Sequence, residues 1–93
     1  MNEEDYASAL LAFVRREFVH ADEGVRLDET TPLLESGILD SLRIAVLLVF
    51  IRDELGAFVP LEKIDAANFK DVRTIAAVLD KASAVGAGPG GRA

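Results

Sequence analysis

Apolar residues return at spacings of three and four along the start of the chain. Tyr6, Leu10, Phe13, Val14 and Phe18 share one face of a helix predicted over residues 3–19. Glu3, Glu4 and Asp5 sit in its first turn and Arg15 and Arg16 near its other end, the arrangement the helix dipole favours. A second helix is predicted over residues 41–55. The run from Leu42 to Leu55 has neither Gly nor Pro and only four charged residues, and Gly56 supplies a stop. At about 100° per residue, Ile44, Leu47, Leu48, Ile51 and Leu55 fall on one face and belong to a core. Leu42, Ala45, Val46 and Val49 fall on another arc. A small core does not need this second stripe, so it is either covered by the preceding loop or presented to a partner.

Between the two helices, residues 20–40 read as a long loop broken by Gly24, Pro32 and Gly37, with turn chemistry in Asp28-Glu29-Thr30-Thr31-Pro32. A structureless link of about 20 residues is unusual in a compact domain, and such loops tend to be functional or packed down. Leu27, Leu33, Leu34 and Ile38 are the expected anchors. After Pro60, a short helix is expected within residues 61–68, carrying Leu61, Ile64 and Ala67, with Phe69 packed at the junction. Residues 71–82 read as a last helix, capped by Asp71, with Val72, Ile75, Val78 and Leu79 inward. The expected fold is all-α: a small antiparallel bundle of three longer helices plus one short helix, with the long loop between the first two. Residues 1–84 should form the domain. Residues 85–93, rich in Gly, have nothing to bury and are expected to be a flexible tail.

Composition narrows the function. The chain has 93 residues, 51% of them hydrophobic, which suits one small folded domain. Its net charge of −6 would repel a phosphate backbone, so nucleic-acid binding is disfavoured and basic protein surfaces are favoured. With no cysteine there is no disulfide, thiolate metal site or thiol nucleophile. No apolar run approaches the roughly 20 residues of a membrane span, and the acidic N-terminus lacks the basic region of a signal peptide, which predicts a cytoplasmic protein.

The chemistry centres on Glu35-Ser36-Gly37-Ile38-Leu39-Asp40-Ser41-Leu42, which ends the loop and opens the second helix. On local sequence, Ser41 is either an N-cap that satisfies a backbone amide or a hydroxyl held on a rigid element and open to a visiting enzyme. Asp40 can share the capping. A hydrolase built on Ser41 and the lone His20 has no Gly-x-Ser-x-Gly elbow and no α/β pattern behind it. Glu3, Glu4 and Asp5 read as a solvated helix start, and Asp28-Glu29 lacks the spacing of a calcium loop.

These features together resemble the phosphopantetheine-dependent acyl and peptidyl carrier proteins. The likeness spans about residues 5–82. Its centre is Asp40-Ser41-Leu42, matching the family's Asp-Ser-Leu. Around it stand Asp28, Thr30, Leu33 and Gly37 in the loop, Glu54-Leu55-Gly56 at the end of the second helix, and Asn68-Phe69 with Thr74-Ile75. The resemblance implies that Ser41 accepts 4′-phosphopantetheine from coenzyme A, that Asp40 helps the modifying transferase hold its divalent metal, and that Leu42 contacts the arm or a partner. It implies no catalysis by the chain itself.

Gly37 lies four residues before the serine, where fatty-acid carriers usually have a glycine three before it; those carriers also line this helix with acids, whereas here Arg43 follows the motif and Val46 sits in the exposed arc. The chain therefore resembles D-alanyl carriers and discrete carriers of specialised metabolism more than fatty-acid carriers. Expected partners are a phosphopantetheinyl transferase, a loading enzyme for an acyl or aminoacyl group, and downstream modifying or condensing enzymes of a polyketide or nonribosomal peptide pathway. They would meet Leu42, Arg43, Ala45, Val46 and Val49, with the carrier a monomer. An alternative is a carrier-like interaction module that uses the same stripe and is never modified.

Overall fold

A computed structural model describes residues 2–19 and 26–84. Among the described residues three α-helices carry the fold: α1 (Glu3–Phe18), α2 (Ser41–Leu55) and α3 (Val72–Ala84), with a single 3₁₀ turn at Leu61–Lys63. No strand occurs among the described residues, and the all-helical bundle expected from the periodicity is the architecture found. No described helix is long and apolar enough to cross a membrane. His20, Gly24 and the tail expected over 85–93 lie outside the described residues.

Each helix begins on a side-chain cap. The Asn2 side chain accepts the Asp5 amide at 2.8 Å, and the Asp5 carboxylate accepts the Asn2 amide at 3.3 Å, so two end amides of α1 are satisfied reciprocally. The Thr74 amide donates to Asp71 Oδ1 at 2.8 Å, as expected of Asp71. α2 stops at Gly56, whose φ of +64° is the left-handed conformation that glycine adopts without strain. The amides of Gly56 and Ala57 both turn back to the Ile51 carbonyl.

The core faces agree with the apolar spacing. Leu10 and Val14 from α1, Leu47 and Ile51 from α2, and Val72, Ile75 and Leu79 from α3 are fully buried, while Ile44, Leu48 and Leu55 pack half-buried against them. No polar or charged side chain is buried among the described residues. α1 packs mainly on α3 and more lightly on α2.

The short helix expected within 61–68 is reduced to one 3₁₀ turn. Leu61 is 84% exposed and Ala67 is exposed, while Ile64 is half-buried. The cause lies in Asp65. Its Oδ1 accepts the Asn68 amide and the Asn68 side-chain N–H, each at 2.9 Å, so the chain starts a new turn there instead of extending the first. That turn delivers Phe69 into the core, where it is buried as expected.

The described part of the loop, residues 26–40, is packed down. Leu27, Leu33 and Ile38 are buried and Leu34 is half-buried, and Leu39 is a fourth buried residue. The Leu33 amide donates to the Lys70 carbonyl at 2.7 Å, and the Leu39 amide donates to the Leu33 carbonyl at 3.0 Å. Each helix also sends one arginine to the loop: Arg15 to the Leu27 carbonyl at 3.0 Å, Arg43 to the Ile38 carbonyl at 3.0 Å, and Arg73 to the Glu29 carboxylate at 3.5 Å. Asp28 closes the turn between these anchors. Its carboxylate accepts the backbone and hydroxyl donors of Thr30, which hold it below the usual Asp range.

Leu33→Ala should lower the unfolding free energy by about 2–5 kcal/mol, the usual cost of emptying a closed leucine site. Urea denaturation checks this. A loss under about 0.5 kcal/mol would mean the loop is not part of the folded core.

Candidate functional site

The start of α2 assigns separate tasks to two adjacent residues. Asp40 has extended backbone (φ −140°, ψ −175°), and its Oδ1 accepts the Arg43 amide at 2.9 Å while its carbonyl accepts the Ile44 amide at 2.8 Å. Asp40 is therefore the N-cap. Ser41 is the first helical residue. Its side chain is exposed and makes no hydrogen bond among the described residues. Of the two residue-level readings of Ser41, the capping one goes to its neighbour.

The hydroxyl stands at the positive end of the α2 dipole, in the first turn, where backbone amides point outward. An ester of phosphoric acid formed on this oxygen carries a negative charge that such a helix end stabilises. The residues present suit attachment of such a group. Leu42 beside it is 74% exposed.

The approach to the site is held from behind. Ser36 and Gly37 close successive turns onto Pro32 and Leu34, and Gly37 has φ of +83°. A Cβ there would meet nothing within 4 Å, so glycine is required for the backbone conformation, not for space. Ile38 and Leu39 then enter the core one after the other, which leaves Asp40 and Ser41 as the first residues to emerge.

The loop does not cover the second stripe of α2. Leu42, Ala45, Val46 and Val49 are all exposed, Val46 to 41% and Val49 to 47%. Arg43 differs from them. It is half-buried, its guanidinium donates to the Ile38 carbonyl, and it lies 5.4 Å over the Phe18 ring. Phe58, between α2 and Pro60, and Leu61, which opens the 3₁₀ turn, add exposed apolar surface on either side of Pro60. Phe50, outside the predicted core face, stacks on Phe13 with centroids 4.0 Å apart and planes 16° from parallel. No group of three or more metal-ligating side chains is found among the described residues.

Comparison with known proteins places this geometry. No protein-family model matches the chain. The chain is 31% identical to the probable acyl carrier protein PigG of a Serratia species over 77 residues, 83% of this chain and 87% of that protein. It is also similar to one chain of a solved structure described as "Crystal structure of FAD-dependent dehydrogenase". That match has 38% identity and a TM-score of 0.65, and covers 75% of this chain and 97% of the other.

The division between cap and hydroxyl sets a paired expectation for stability. Asp40→Ala should cost about 0.5–2 kcal/mol, as loss of an N-cap does. Ser41→Ala should change stability by less than about 0.5 kcal/mol, since the hydroxyl makes no hydrogen bond among the described residues. Thermal and urea unfolding of both variants checks this; a Ser41→Ala loss as large as that of Asp40→Ala would return the serine to a structural role.

Proposed function

Because the chain belongs to the acyl carrier protein family, we propose that Ser41 bears a 4′-phosphopantetheine arm on which an acyl or aminoacyl group travels as a thioester. The observation that carries this reading is the exposed Ser41 hydroxyl, free of structural duty, inside Asp40-Ser41-Leu42. The chain holds and presents; the reactive thiol comes with the arm, since the protein has no cysteine. In the loading step Ser41 Oγ forms the bond to phosphorus and gives up its proton, while the phosphoanhydride bond of coenzyme A breaks and the nucleotide leaves. Asp40 keeps one carboxylate oxygen on the Arg43 amide, and its second oxygen is the one offered to the transferase's divalent metal.

Leu42, Ala45, Val46 and Val49 form the docking face for the transferase, the loading enzyme and the downstream enzymes. Its character is apolar, unlike the acidic recognition of fatty-acid carriers, which supports a polyketide or nonribosomal peptide setting. The carrier works as a cytoplasmic monomer and catalyses nothing itself.

The dehydrogenase likeness bears on partners rather than on catalysis. Three quarters of a 93-residue chain spans nearly all of the matched chain, which is therefore on the order of 70 residues. A bundle of that size is a small single domain with no room for a separate FAD-binding unit. A flavoprotein dehydrogenase that removes two hydrogens from the carried group is accordingly one proposed partner class. The exposed stripe also supports the rival reading, an interaction module that is never modified.

Incubation with coenzyme A and a promiscuous phosphopantetheinyl transferase, followed by intact-mass measurement, separates these readings. The expected result is a gain of one phosphopantetheinyl group that disappears in Ser41→Ala; no gain in the wild type favours the module. Val46→Glu should then lower turnover by partner enzymes about tenfold or more, because it puts a charge into an apolar contact. Its circular dichroism should stay that of the wild type. An unfolded Val46→Glu variant would show that the stripe is core.

A further inference from the structure

We infer that Arg43 is a positioning residue that sets where Ser41 stands, acting from behind the site and not on its partners. The inference rests on Ser41 being the modified residue. Residues two apart on a helix do not face each other, so Arg43 and Ser41 project to different sides of α2. The guanidinium joins three elements on its side. Its Nη1–H donates to the Ile38 carbonyl at 3.0 Å, its central carbon lies over the ring of Phe18 at the end of α1, 5.4 Å from the centroid, and the Arg43 amide donates to the Asp40 cap.

From Phe18 the contact continues. Phe18 meets Phe13 edge-on at 5.5 Å, and Phe13 stacks on Phe50 at 4.0 Å. Phe50 is seven residues after Arg43, two turns along the same face of α2. Arg43, Phe18, Phe13 and Phe50 therefore form a ladder that leaves α2, runs along α1 and returns to α2. Because α1 otherwise packs mainly on α3, this ladder fixes the pose of α2 against α1. Arg43 is the rung that also takes in the loop. It grips Ile38 next to Gly37, whose φ of +83° is a conformation glycine adopts without strain. A lysine has no planar fork with which to stack on Phe18 and donate sideways to Ile38 together.

Three variants test this: Arg43→Met, which keeps the apolar stem; Arg43→Lys, which keeps the charge; and Phe18→Leu, which keeps the arginine but removes the ring. All three should show exchange broadening of the Ile38, Leu39 and Asp40 amides, while α3 amides stay as in the wild type. In transfer from coenzyme A by the transferase, kcat should fall about fivefold, the population effect of one lost net hydrogen bond, with KM close to wild type. An Arg43→Lys variant with wild-type rate, beside an Arg43→Met variant with raised, salt-sensitive KM, would make Arg43 a surface docking charge and overturn the inference. So would unchanged loop amides in Arg43→Met. If the wild type takes up no phosphopantetheine, the assignment of Ser41 fails, and the amide spectra still decide whether Arg43 holds the loop.

Discussion

The fold turns on Leu33. Its side chain is fully buried, its amide donates to Lys70 just before α3, and its carbonyl accepts the amide of Leu39 just before α2. One loop residue thereby ties together the starts of two helices. Surface loops usually carry their backbone groups to water and move accordingly. Here the polar backbone around Leu33 is satisfied inside the protein, and the arginines from α1, α2 and α3 hold the loop at Leu27, Ile38 and Glu29. The entry to α2 inherits that rigidity, and Ser41 is the point where the rigid segment meets solvent.

The proposed carrier role asks for a hydroxyl that is both firmly mounted and free. These requirements conflict at a helix N-terminus, where the amides of the first turn compete for any nearby oxygen. The chain resolves the conflict by placing an aspartate one residue earlier. Asp40 satisfies the Arg43 amide, so the Ser41 hydroxyl is not drawn inward. The same local device leaves Leu42 projecting next to the serine, at the head of the exposed stripe that continues through Val46 and Val49. Cap, exposed hydroxyl and exposed apolar stripe are thus consecutive features of one helix.

The helices were legible because their apolar residues repeat with the helical period: α2 runs from Ser41 to Leu55 as the pattern predicts, and Leu47 and Ile51 are its buried pair. Leu27, Leu33 and Ile38 were legible as loop anchors because they are apolar residues among polar ones. Three features were not. The turn at Asp65 depends on a side chain capping Asn68, which shortens a helix whose apolar spacing looks adequate. The inward course of Arg43 depends on where Phe18 and Ile38 meet in space, which no spacing along the chain encodes. The choice between Asp40 and Ser41 as cap is open in sequence, because both types cap well; geometry decides it.

The central claim is that Ser41 is carried on a segment as still as the bundle itself. Backbone ¹⁵N relaxation measures this directly on the ps–ns timescale. Order parameters of about 0.85 for Ile38, Leu39, Asp40, Ser41 and Leu42, equal to those of α1 and α3, are the expected result. Values below about 0.6 across those residues, with the helices still rigid, would contradict it.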